Sequence, residues 1–356
     1  MIDFLVIGGG IAGLSAGARL TAFGSVAVLE AESALGYHAT GRSAAMFEEN
    51  YGKPAVVALN RASRSFLQDG GYLSPRGVLL VGRTSEASTF ATDCKTLDLH
   101  PISTKEAQAM IPVLDMNVVD RAAYHDTAQD IDTDRLVQGF ARHIRAAGGK
   151  VTTNARVNHI TRTDTGWQVE VAENTYTART LVNAAGPWAD DIARMADITP
   201  LGLQPMRRSM GRIPPPADCD VSSWPMLFGP GENWYAKPDA GALIVSPAEE
   251  TPVDPHDAYA DDMILAEGVA RFEEYVTTQV TRMQSTWGGL RTFAPDRQLV
   301  IGPDPLDPKF LWNAGQGGYG FSTAPAASQL LADLVGGVAP EIDAEAVAQL
   351  RPDRFR

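Results

Sequence analysis

The chain alternates short apolar runs with glycine-rich breaks, and its opening is the most regular part. Phe4-Leu5-Val6-Ile7 is a run of four apolar residues, two of them β-branched, which predicts a parallel strand buried on both faces. Gly8-Gly9-Gly10 interrupts it. Ile11, Leu14, Ala18 and Leu20 then recur at helical spacing until Gly24 stops the pattern. Val26 to Leu29 is a second apolar run, ending in Glu30. Further on, 134–147 has helical spacing closed by Gly148-Gly149. Residues 150–171 alternate around Asp164-Thr165-Gly166, a hairpin signal, and 178–185 is a strand running into a glycine turn. Ser103 and Glu106 form a capping box for a short helix. Residues 257–280 suit a long amphipathic helix, and 322–335 a final one just after a glycine cluster. No internal repeat is present.

Composition narrows the class. At 356 residues the chain exceeds one hydrophobic core, so two structural parts are expected. A net charge of −13 opposes phosphate backbones and anionic lipid, so neither nucleic acid nor a stable membrane partner is expected. The two cysteines, Cys94 and Cys219, show no metal-ligand spacing, and the six histidines show none either. No apolar stretch reaches the length of a membrane span and no leader precedes the first strand, so the expected location is cytoplasmic, with peripheral membrane contact open.

The order strand, G-x-G-x-x-G, helix, strand, acid is the dinucleotide fingerprint. Gly8 permits the tight turn, Gly10 lets a pyrophosphate approach the backbone, and Gly13 lets the helix lie close on the strand. The diphosphate would sit on the helix N-terminus around Ile11 and Ala12, where free N–H groups favour anions. Glu30 lies where a carboxylate would accept from ribose hydroxyls, with Ala31 beside it. The fingerprint alone does not separate FAD from NAD.

The next segment does. Together with GGGIAGLSAG, ESALGYHATGRSAAMFEENY (Glu32 to Tyr51) resembles the D-amino-acid oxidase superfamily of FAD enzymes, and within it the bacterial D-arginine dehydrogenases and other D-amino-acid dehydrogenases. DIDTDRL (Asp130 to Leu136), LVNAAGPWAD (Leu181 to Asp190), LGLQPMRRS (Leu201 to Ser209), WYAKPDAG (Trp234 to Gly241), WGGLRTF (Trp287 to Phe293) and GQGGYGFST (Gly315 to Thr323) extend the resemblance over nearly the whole chain. It implies a mixed α/β fold: a Rossmann-like FAD domain from residues 1–75, 133–200 and 285–356, and a substrate domain on an antiparallel sheet from 76–132 and 201–284. It also implies non-covalent FAD, since no cysteine lies near Gly315 to Thr323.

Residue by residue, the resemblance makes Arg291 the clamp for a substrate carboxylate, a role suited to a bidentate guanidinium. Tyr235 would add a hydroxyl to the same carboxylate. Arg208 would reach the substrate while Arg207, on the opposite strand face, would be structural. Tyr51 would cover the substrate from the 47–50 loop. Gly318 would offer its carbonyl to the substrate amine. Thr40, Gly41, Arg42, Ser43 and Ala44 would contact pyrophosphate or the isoalloxazine edge. Val157 would sit against adenine, and Ala185 and Gly186 would close the turn near the cofactor. Gly317, Tyr319, Gly320, Phe321 and Ser322 would bring backbone and a helix N-terminus to the reduced flavin. His38 is assigned no role as a base.

Two positions depart from the D-arginine dehydrogenases. Met46 replaces a histidine, and Val78 replaces the glutamate that binds the cationic side chain. The pocket is therefore expected to favour an apolar or bulky side chain over arginine, because an unpaired buried cation is costly. Glu48 and Glu49 on the 47–50 loop are an alternative source of acidity. The activity expected is oxidation of a D-amino acid to the imino acid, then to a 2-oxo acid and ammonia. Oxidation of an N-substituted amino acid or of a 2-hydroxy acid, and a flavin-bearing electron-transfer subunit, stay open, as does the acceptor, quinone or oxygen.

Overall fold

The computed structural model describes residues 1–217 and 219–356. Strand Ile2–Ile7 lies between Val26–Leu29 and Asn174–Asn183, parallel to both. Lys150–Thr152 extends this parallel layer beyond Val26–Leu29, and Phe310–Ala314 joins Asn174–Asn183 on the other side. Both faces are covered. Helices Ile11–Leu20, Pro54–Asp69, Thr133–Ala146 and Gly320–Gly336 pack on one. The meander 157–178 and helix Ala189–Met195 close the other. That double burial is why the first strands read as unbroken apolar runs.

A second, nine-stranded sheet carries most of the rest, and a three-stranded sheet joins Met46–Phe47, Gln129–Ile131 and Leu73–Pro75. From one edge the nine-stranded sheet runs through Gln204–Ile213, Ala242–Ser246, Tyr235–Asp239, Met226–Phe228, Val78–Gly82 and Arg121–His125. Ser285–Phe293 also pairs with Gln204–Ile213, antiparallel along residues 204–212. By sheet membership this strand goes with the second sheet, although the expected boundary put 285 onward with the first part. Nine consecutive paired positions outweigh its sequence proximity to the last segment.

Several predicted elements match. The hairpin turns at Asp164-Thr165, with Thr163 opposite Gly166. Ser103 and Glu106 cap each other at helix Thr104–Met110. The helix expected over 322–335 begins at Gly320 and ends on left-handed Gly337, but it is not the last, since Ala344–Leu350 follows it. The long helix expected over 257–280 is shorter, Asp262–Glu273. Asp261 caps it through the Met263 and Ile264 N–H groups, and residues 257–258 are instead held by Arg42.

The connection between the sheets is fastened by one carboxylate. Buried Asp190 accepts from the N–H groups of Leu201, Gly202 and Leu203 at 2.9–3.0 Å, just before the strand that carries Arg208. Asp190→Ala leaves three donors without an acceptor. It is expected to lower unfolding free energy by about 1–3 kcal/mol, read from the denaturant midpoint of the FAD-loaded protein.

Candidate active site

One long cavity runs from the glycine turn of the first sheet to the face of the second. At the first end the cradle is backbone. Helix Ile11–Leu20 starts at Gly10 with no side-chain cap from that residue and no acid in its first turn, so the N–H groups after Ile11 in its first turn are free for an anion. A Cβ on Gly13 would stand 1.9 Å from the Gly8 carbonyl oxygen, and one on Gly8 would stand 2.3 Å from that of Ala184. Glycine is what lets strand, turn and helix close up here. The Glu30 carboxylate accepts from the Gly9 N–H at 2.7 Å and the Glu32 N–H at 2.8 Å, shaping the turn from below. Thr40 accepts from Ile11 N at 3.1 Å.

Gly8, Gly10, Ile11, Ala12, Glu30, Ala31, Thr40, Arg42, Ser43, Ala44, Val157, Ala185, Gly186, Gly317, Gly320, Phe321 and Ser322 all line this cavity. Gly13, Gly41 and Tyr319 do not. Gly13 and Gly41 act in packing, the latter within 2.6 Å of the Gly36 carbonyl. Tyr319 turns its ring to Tyr51 and Phe293. Arg42 lines the cavity, but its guanidinium is taken by Asp257 and by the carbonyls of Tyr37, Ala258 and Gly288. His38 faces the Glu32 carboxylate at 3.2 Å and lies against Trp188.

The free helix N-terminus, the glycine cradle and the second uncapped helix start at Gly320 fit a flavin dinucleotide lying along the cavity. Backbone from 39–46 forms one wall. It is pinned by Lys237, 7% exposed, whose Nζ donates to the Ala44 carbonyl at 2.6 Å and meets Asp130 at 2.7 Å.

At the other end the second sheet brings together residues far apart in sequence. Arg291 lies under the glycine turn, its Nη1 3.0 Å from where a Cβ on Gly318 would be. Tyr235, Arg208, Tyr51, Met46 and Val78 line the same space. Arg207 pairs with Asp261 at 2.8 Å on the opposite face, as alternation requires. Burial pulls the Arg291 pKa down, but Tyr51, Tyr235 and Glu232 more than reverse this and hold it above the usual value. Burial and the nearby Arg291 lower that of Arg208. Burial, reinforced by Glu232, raises the Tyr51 hydroxyl well above its ordinary range. The Tyr235 hydroxyl and Thr292 Oγ1 are buried without a hydrogen-bond partner. A cation in a cavity wall beside an unsatisfied hydroxyl is a ready receptor for a carboxylate.

Glu232 was not singled out in the sequence. It accepts from the Tyr51 hydroxyl at 3.3 Å, and burial raises its pKa against the opposing pull of Arg291 and Arg208. Its sequence signal was the acid in GPGENWY, three residues before Tyr235. Leu97, Met210, Met226 and Phe228 complete the apolar wall. Among the described residues no group of three His, Cys, Asp or Glu side chains is placed to hold a metal, and no helix is long and apolar enough to cross a membrane.

Comparison with known proteins agrees with this architecture. The chain is 45% identical over 67 residues to a D-amino acid dehydrogenase of Rhizobium johnstonii, a match spanning 19% of this chain and only 16% of that protein. It is 25% identical over 369 residues to the glycine oxidase of Pseudomonas putida, covering 95% of this chain and 96% of that one. The structure of L-proline dehydrogenase from P. horikoshii superimposes with a TM-score of 0.85 at 22% identity, covering 99% of this chain and 97% of that one. The profile described as FAD dependent oxidoreductase matches residues 3–334, and the chain belongs to that family of FAD enzymes.

Proposed function

We propose that the protein oxidises a D-amino acid to the imino acid, which water converts to a 2-oxo acid and ammonia. The observation that carries this reading is the half-buried Arg291 guanidinium lining the cavity with the unpartnered Tyr235 hydroxyl, at the glycine turn where the cofactor cavity meets the second sheet. Among the described residues Arg291 has no carboxylate salt-bridge partner, whereas Arg207 and Arg208 have theirs.

The chain's residues then divide the work. Arg291 and Tyr235 fix the substrate carboxylate in two directions, which orients Cα as well as neutralising charge. The Gly318 carbonyl is offered to the amine. Tyr51 covers the substrate and, with its pKa raised, stays a neutral hydroxyl. FAD, when bound, supplies the hydride acceptor. Among the described residues the histidine that lines the cavity is His38, which faces Glu32, so the substrate amine gives up its proton before or during the oxidation. Met46, Val78, Met226 and Phe228 give the side chain apolar walls, which supports preference for an apolar or bulky side chain over arginine.

The D configuration rests on the resemblance of the first fifty residues and on the short match to D-amino acid dehydrogenases. The nearly full-length match to a glycine oxidase favours glycine or an N-substituted glycine as the second reading. Anaerobic bleaching of the flavin by D-amino acids, by their L-enantiomers, and by glycine and sarcosine distinguishes the two. Bleaching by glycine and sarcosine alone would overturn the first.

Arg291→Met is expected to lower kcat/KM by about 100-fold or more, as loss of a charge-assisted pair to a carboxylate of 3 kcal/mol or so implies. Tyr235→Phe should lower it by about tenfold. Both are read from rapid anaerobic flavin reduction. D-Arginine is expected to be a poor substrate, and Val78→Glu should raise its kcat/KM relative to D-leucine. Because burial raises the Glu232 pKa in the folded chain above its unfolded value, stability is lost as pH rises through the folded pKa and is intact below the unfolded one. Glu232→Gln should therefore raise the melting temperature above wild type at about pH 9 and not at about pH 4.

A further inference from the structure

The two lid carboxylates, indistinguishable in the sequence, have opposite fates in the fold. Glu49 turns outward and is taken by Arg61 at 3.1 Å and by Arg64 at 2.5 Å. Glu48 turns inward and lines the cavity. Its Oε1 accepts from the Asn50 N–H at 3.0 Å, and its Oε2 lies 3.1 Å from His125 Nε2. Both side chains are largely enclosed, 11% and 6% exposed. The approach is off the line a hydrogen bond needs, so Oε2 and Nε2 are each left without an aligned partner. Thr127 Oγ1 lies 3.0 Å from the other ring nitrogen.

His125 stands at a defined place on the substrate face. Tyr235 is opposite Phe228, Met226 opposite Val78, and Val78 opposite His125. Directly opposed residues, and residues two apart on one strand, share a face. One face therefore runs unbroken from the carboxylate end at Tyr235 to His125. Tyr235 and Val78 stand two strand spacings of ~4.8 Å apart, about 10 Å, and His125 lies one strand beyond. A substrate gripped at Arg291 and Tyr235 would lay its side chain along Phe228 and Met226 toward Val78, where Glu48 meets His125. The acid absent at Val78 is thus replaced by Glu48, whose free oxygen stands 3.1 Å from an imidazole nitrogen.

Donor counting sets what that tip can be. A guanidinium brings five N–H groups and an ammonium three, all needing acceptors. The Val78 and Met46 walls provide none, and one Glu48 oxygen is already used by Asn50. A single open carboxylate oxygen beside a ring nitrogen suits a carboxamide or hydroxyl. We propose that Glu48 and His125 form a side-chain subsite selecting D-amino acids of intermediate length with an uncharged hydrogen-bond donor at the tip. The proposal rests on the amino-acid reading above and goes beyond it.

The test uses the FAD-loaded protein and three substrates of similar length, D-glutamine, D-methionine and D-lysine. Anaerobic stopped-flow mixing gives Kd from the flavin spectral perturbation, or from the saturation of the reduction rate. Wild type should bind D-glutamine about tenfold more tightly than D-methionine, and D-lysine weakest. Glu48→Leu should abolish or invert the glutamine–methionine ratio, while Glu48→Gln, which keeps an acceptor, should retain the order. His125→Phe frees the carboxylate and should improve D-lysine at least about tenfold relative to D-glutamine, so the result does not depend on the leucine variant folding. A glutamine–methionine ratio within twofold of wild type in Glu48→Leu, D-lysine binding tightest in wild type, or no relative gain for D-lysine in His125→Phe would each overturn the subsite. Binding in this order without flavin reduction by any of the three would overturn the amino-acid oxidation reading and leave the subsite standing.

Discussion

A guanidinium half-buried in the wall of a cavity is the constraint around which the second half of the molecule is arranged. Arg291 has no carboxylate salt-bridge partner among the described residues, so its charge is met by the two tyrosine hydroxyls and by Glu232 at a distance. A charge removed from water is tolerated only where dipoles or an opposite charge stand ready. Tyr51, Tyr235 and the glycine turn at 317–318 meet that need and leave one place open, which a substrate carboxylate fits. The same demand explains the neighbouring arginines. Arg208 is held by the Glu249 carbonyl and Glu250, and Arg207 by Asp261, so only one of the three is free to take a ligand.

Two sheets have to be held in register for this to work, and polar ties do it. Lys237 reaches from the second sheet to the Ala44 carbonyl and to Asp130, which also pairs with Arg76 at 2.7 Å. Arg42 fastens the 37–43 loop to residues 257–258 and to the Gly288 carbonyl beside Arg291. These ties fix the loop on which the cofactor would lie relative to the strand that grips the substrate. A displacement of about an ångström between them would cost alignment of the reacting atoms.

The cofactor half was legible from sequence because its signal is local. Gly8, Gly10 and Gly13 act within one turn of chain, and the nearest atoms a Cβ would strike at Gly8 and Gly13 belong to that turn or to the adjacent strand end at Ala184. The substrate half is non-local. Tyr51, Val78, Arg208, Tyr235 and Arg291 lie on the second sheet or on the loop above it, and only the resemblance indicated that they meet. Glu232 and His125 carried no such marker. The helix read over 257–280 shortened for the same reason, since Arg42, more than two hundred residues earlier, holds residues 257–258 out of it.

By itself the sequence determined a dinucleotide-binding fold: buried parallel strands and a glycine turn whose spacing suits a diphosphate, with the resemblance assigning FAD. It left two adjacent lid glutamates equivalent. Only the tertiary structure separated them, because the direction of a loop side chain is set by what packs against it. Arg61 and Arg64 draw Glu49 outward, and His125, brought alongside by strand pairing with Val78, encloses Glu48 within the pocket.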